Sequence, residues 1–116
     1  MTVYDIALKK AADPNGSSNL SGVYILKLNG VIMKVGSAAI GVQKRMQQYY
    51  GLNEYCGMNH YINSTNRDRI TVTYQTCNAS DCRELESKLF DKYSCYSMPW
   101  AFRRPRCNKD TCTLYI

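Results

Sequence analysis

Apolar residues recur along this chain with two different periods, and each change of period marks a new element. Val3, Ile6 and Ala7 recur at helical spacing behind a Thr2 and Asp5 pair of the capping-box kind, so residues 3–12 read as a short helix. The run Asp13-Pro14-Asn15-Gly16-Ser17-Ser18-Asn19 ends it as a flexible connector. Residues 1–20 are therefore expected to form an N-terminal helix and linker, and residues 21–116 the domain proper. Val23 to Leu28 and Val31 to Val35 are β-branched and aliphatic and flank Asn29-Gly30, which predicts two antiparallel strands joined by a tight turn. Ile40 to Tyr50 sets Val42, Met46 and Tyr49 or Tyr50 against Gln43, Lys44 and Gln47, as an amphipathic helix does, and Gly51 closes it. Asn53 to Asp68 is polar and without period, a loop. Ile70 to Thr76 alternates and should be a third strand. Asn78 and Asp81 then cap a helix whose buried stripe is Cys82, Leu85, Leu89 and Tyr93. Met98 to Ile116 is basic and aromatic, with a short strand expected at Cys112 to Tyr115. This order predicts an α/β (α+β) domain built on a small, mostly antiparallel three-stranded sheet flanked by helices.

Length and composition narrow the picture. A chain of 116 residues with 45% hydrophobic and 21% charged residues suits one domain with its own core, and disorder is a poor description. No apolar stretch is long enough to span a membrane, and the amino end carries Asp5, Lys9 and Lys10 where a leader would be hydrophobic. A cytoplasmic protein with no membrane partner is expected. Lys plus Arg outnumber Asp plus Glu by 15 to 9, a net +6 that either favours a polyanionic partner through counterion release or serves solubility alone. The six cysteines leave three readings open: reduced, mostly buried thiols, a structural zinc site using the Cys77/Cys82 and Cys107/Cys112 spacings, or three disulfides in a secreted protein. His60 is the only histidine, which excludes multi-histidine metal centres and histidine-based nucleophilic schemes.

The first strand carries Gly22-Val23-Tyr24 and the second Lys34-Val35-Gly36; Arg45 follows in the first domain helix and Glu86 in the second. These residues, in this order on these elements, resemble the GIY-YIG nuclease family over roughly residues 21–95. The resemblance implies a single-metal endonuclease acting on DNA, with Tyr24, Lys34, Arg45, Tyr49 and Glu86 in its catalytic site and one Mg²⁺ or Mn²⁺ on Glu86. The second motif departs from the family name by placing Lys34 where tyrosine stands; some restriction enzymes of the family are similar in this respect. Arg104-Pro105-Arg106-Cys107-Asn108 is similar to an Arg-Pro-x-x-Asn stretch of the family's repair nucleases, where the asparagine supports the site, which makes Asn108 a further candidate.

Elementary chemistry runs parallel to that resemblance. Phosphodiester hydrolysis needs an activated water, neutralised non-bridging oxygens and a stabilised leaving oxygen. A lone carboxylate such as Glu86 suits a hard divalent cation that completes its shell with water and phosphate. Glu86 falls within the helix stripe expected to face the core, with Glu84 as its outward-pointing rival. Arg45 can clamp a phosphate bidentately or be a solvated helix residue. Tyr24 can relay the proton of the attacking water if cations such as Lys34 lower its ordinary pKa of about 10, or be a half-buried strand tyrosine. Tyr49, one turn after Arg45, can touch that water or belong to the core. Lys44, Arg103, Arg104 and Arg106 are the expected DNA contacts, and Trp100 and Phe102 among them either stack on bases or anchor the tail. The alternative function is a catalytically impaired DNA-binding module of the same fold.

The hairpin makes one geometric demand. Tyr24 and Lys34 share a face only if it pairs residues whose numbers have an even sum, as a three-residue Leu28-Asn29-Gly30 loop does. A plain two-residue turn puts them on opposite faces unless a bulge compensates.

Overall fold

The computed structural model describes residues 1–52, 58, 60–93, 98–100 and 104–116. In chain order the elements are β1 (Thr2–Ala7), α1 (Leu8–Ala12), β2 (Gly22–Leu28), β3 (Val31–Ala38), α2 (Val42–Tyr50), β4 (Ile70–Thr76) and α3 (Cys82–Tyr93). The strands form one antiparallel sheet in the order β1-β4-β2-β3.

The sheet therefore has four strands, one more than the hydrophobic pattern predicts, and the extra one lies inside the expected N-terminal helix. Val3 pairs with Tyr74 and Ile6 with Val72, and the register slips between them at Asp5, whose φ is 48°. A bulge adds one residue between two positions that face the same side, so a spacing of two is stretched to three and imitates helical periodicity. Asp5 caps no helix. Its amide donates to the Thr73 hydroxyl oxygen at 3.0 Å and its carboxylate accepts from Lys27 Nζ at 3.0 Å. The unpaired edge of β4 thus overrides a weak local preference, and only Leu8–Ala12 is helical.

Alternation along the strands sorts the core into two layers. Tyr24, Leu26, Val72 and Tyr74 face α1 and α2, where Leu8, Ala11, Val42, Met46 and Tyr49 cover them. Val23, Ile25 and Val35 face α3, against Leu85, Leu89, Phe90 and Ile116. The anticipated stripe of α2 is buried, as is that of α3 except for the half-buried Tyr93, but α3 is also covered on a second side, since Glu84, Ser87 and Phe90 are buried with Cys82, Leu85 and Leu89.

That second cover is the C-terminal segment. Residues 104–116 form no regular element, and the strand expected at Cys112 to Tyr115 is absent. A side chain does the pairing instead: Gln75 donates from Nε2 to Thr113 O at 2.8 Å and accepts from Tyr115 N at 2.6 Å. Glu84 accepts from Thr111 N (3.1 Å), Thr111 Oγ1 (2.8 Å) and Cys112 N (2.5 Å). Glu84 is consequently 3% exposed, contrary to its expected outward position. Burial works to raise its pKa, but these hydrogen bonds outweigh burial and hold the carboxyl at about 2.

Candidate active site

The hairpin meets its geometric demand by the less direct route. Leu28 pairs with Val31 across a two-residue Asn29-Gly30 turn, both residues at positive φ (51° and 82°), the geometry that asparagine and glycine tolerate best. The register then slips between Lys27↔Ile32 and Leu26↔Lys34, leaving Met33 as an extra residue, and beyond this bulge Tyr24 pairs with Gly36. Tyr24 and Lys34 therefore share a face.

Both motif glycines have steric reasons. A Cβ on Gly36 would stand 2.6 Å from Tyr24 Oη, so glycine leaves the space that the phenol occupies. A Cβ on Gly22 would stand 2.5 Å from Gln75 O and 2.9 Å from Val42 Cγ2, where β2 meets β4 and the start of α2. The phenol of Tyr24 is buried, and its hydroxyl shares a short hydrogen bond with that of Tyr49, the rings meeting edge-on at 5.9 Å. Burial raises the Tyr24 pKa well above 10; Tyr49 adds to the rise through its charge and hydrogen bond, Arg45 opposes it, and Glu86 adds to it. The expectation that Lys34 lowers this pKa does not hold. Lys34 is itself 7% exposed, with its pKa pushed down by burial, up by Glu86 and down by Arg45.

Arg45, on α2, donates from Nη1 to Gln48 Oε1 at 3.1 Å, while its buried Nε has no hydrogen-bond partner among the described residues. A buried donor left unmatched is costly, and a phosphate oxygen would satisfy it. Glu86, on α3, is half-buried at the margin of the core stripe and accepts from Ser37 Oγ at 2.6 Å through Oε1. Among the described residues no group of three or more His, Cys, Asp or Glu side chains converges as a metal cluster. A lone, half-exposed carboxylate fits a cation that keeps most of its water and takes the rest of its shell from substrate.

Tyr24, Lys34, Arg45, Tyr49 and Glu86 thus come from four elements, and the charges of Arg45 and Glu86 act on both Tyr24 and Lys34. Asn108 is not brought to them. It is exposed and lines a groove with Ser80, Arg83, Glu84, Arg106 and Lys109. Lys44 is exposed beside Gln47, Gln48 and Gly51, Arg106 is exposed, and Arg104 forms a bidentate pair with Asp91 at 2.8 and 2.9 Å. Arg103 and Phe102 lie outside the described residues, as do Cys56 and Cys95. Trp100 is buried, stacks on Tyr61 at 6.2 Å and donates its amide to Met33 O, so it anchors the chain. Ser37 and Gln48 were missed by sequence reasoning; nothing distinguishes them from other polar residues until register and helix phase set them beside Glu86 and Arg45.

No protein-family model and no curated protein matches the chain. Its structure is similar to that of the GIY-YIG N-terminal endonuclease domain of UvrC from Thermotoga maritima, solved with its catalytic divalent cation, magnesium. The likeness has a TM-score of 0.52 at 20% identity and covers 79% of this chain and 91% of that one. At this identity the likeness establishes the fold, which is that of a GIY-YIG endonuclease domain.

Proposed function

We propose that this chain, built on the GIY-YIG fold, is a metal-dependent endonuclease that hydrolyses DNA phosphodiester bonds. The observation that carries the reading is the grouping of Arg45 and a half-exposed Glu86, whose charges both act on Tyr24 and Lys34, around the buried Tyr24–Tyr49 pair. Arg45 would clamp the scissile phosphate, and Lys34 would add positive charge to the same face. Tyr24 would take the proton of the attacking water, oriented by the hydroxyl of Tyr49. Glu86, held by Ser37, would hold one Mg²⁺ or Mn²⁺, which when bound neutralises developing charge on the phosphate and leaving oxygen. Lys44 and Arg106 would contact flanking phosphates, and Arg104 would exchange its exposed carboxylate partner for one.

Incubating the protein with supercoiled plasmid, with Mg²⁺ and with chelator, tests the reading. Metal-dependent nicking is expected, with Glu86→Gln lowering it by several orders of magnitude while DNA affinity persists or rises, because the carboxylate repels phosphate unless a cation lies between them. A second reading, a module that binds DNA without cutting it, draws on the high Tyr24 pKa and the engaged hydroxyl. Tight DNA binding with no nicking in any divalent metal is the outcome that would select it.

A further inference from the structure

Away from this site, the most concentrated unassigned chemistry among the described residues lies where β4 hands over to α3. Cys77 follows β4 directly, its amide donating to Ser21 O at 2.8 Å, and Cys82 opens α3. Between them the chain turns through a 3-10 segment, Ala79–Asp81, which brings the two sulfurs to 3.4 Å. Cys82 is buried, its Sγ against the carbonyls of Gly22 (3.8 Å) and Asn78 (3.7 Å), whereas Cys77 is half-buried and so the more exposed of the two. A disulfide bond is about 2.0 Å long, so closure asks the sulfurs to approach by roughly 1.4 Å, the scale of a side-chain adjustment.

We propose that Cys77 and Cys82 are a reversible oxidisable pair, closed into a disulfide by a small-molecule disulfide of the oxidised glutathione kind. Cys77, as thiolate, attacks one sulfur of the oxidant; the other sulfur leaves as a thiolate and takes up the proton that Cys77 gave. Cys82, deprotonated in turn, attacks Cys77 Sγ in the mixed disulfide and expels the second small thiol. The two protein sulfurs lose two electrons and the oxidant gains them, giving two free thiols. The ring so closed fixes the 3-10 turn and ties the first residue of α3 to the end of β4, one helical turn ahead of Glu86. Burial, reinforced by the hydrogen bond and charge of Cys82, pushes the Cys77 thiol up to about 12. Closure is therefore slow at neutral pH, and its rate climbs nearly tenfold per unit between about pH 7 and 9.

The experiment treats the full chain with oxidised glutathione, blocks remaining thiols and maps tryptic peptides. Both cysteines fall in one peptide, bounded by Arg69 and Arg83. Closure makes it lighter by two hydrogens and refractory to alkylation. The expected result is that product, with a melting temperature raised by about 5 °C and returned by dithiothreitol. Cys77→Ser should keep the reduced protein's melting temperature and lose the oxidative shift. The proposal is overturned if the folded wild-type protein keeps both thiols alkylatable, stops at the mixed disulfide, or links Cys77 to Cys112. It is equally overturned if both thiols are protected by about one equivalent of co-purified zinc that Cys77→Ser releases. None of these outcomes depends on whether the protein cuts DNA.

Discussion

Tyr24 stands where a phenol is least inclined to ionise, buried and hydrogen-bonded to a second phenol, with Arg45 acting in the opposite, lowering direction. If Tyr24 is the base, the active fraction is the scarce deprotonated one, so cutting should rise steadily from pH 7 to about 9. Tyr24→Phe keeps the ring in the space left by Gly36 and should lower cutting by about 10²–10⁴-fold with the fold intact, and single-turnover rates on plasmid across that range would check both statements. Glu84 is the opposite case, a carboxylate whose work is structural. Its folded pKa of about 2 lies below the ordinary glutamate value of 4.5. Its stabilising contribution is thus complete above about 4.5 and disappears as pH falls toward 2. Glu84→Gln should lower the melting temperature at neutral pH and flatten the acid limb of a melting-temperature profile, without the selective loss of cutting expected of Glu86→Gln. Glu84 therefore cannot serve as a silent surface control.

At the scale of elements, two bulges organise the molecule. One, at Asp5, lets Val3 and Ile6 reach the same core layer; the other, at Met33, turns Lys34 to the side of Tyr24. The turn type was legible, because Asn29-Gly30 suits positive φ at both positions. The Met33 bulge was foreseeable only as one of two ways to satisfy a shared face. The helices were legible where one side alone is covered, as in α2, and misleading in α3, where a segment twenty-seven residues along covers Glu84. Gly36→Ala probes the hairpin directly. A methyl group 2.6 Å from Tyr24 Oη must displace that ring, so urea unfolding should report a loss of about 1–3 kcal/mol, and cutting should fall further than stability explains.

Over the whole molecule the charge is +6, and among the described residues Lys27, Lys88 and Arg104 are paired with Asp5, Asp110 and Asp91. Exposed Lys44 and Arg106 are left among the cations to meet a polyanion. DNA affinity should fall log-linearly with salt, and Lys44→Ala with Arg106→Ala should reduce the slope by up to about two; a slope unchanged by both would assign the charge to solubility. The sequence by itself determined the hairpin, most of the stripes of α2 and α3 and which residues are candidates for phosphodiester chemistry, because periods of two and 3.6 and the character of a side chain are local properties. Tertiary structure decided that Thr2–Ala7 is a strand, that Glu84 is buried while Glu86 stays at the margin, and that Asn108 lies apart. Each of these depends on a partner distant in the chain, and a single bulged residue is enough to exchange the faces that a local period assigns.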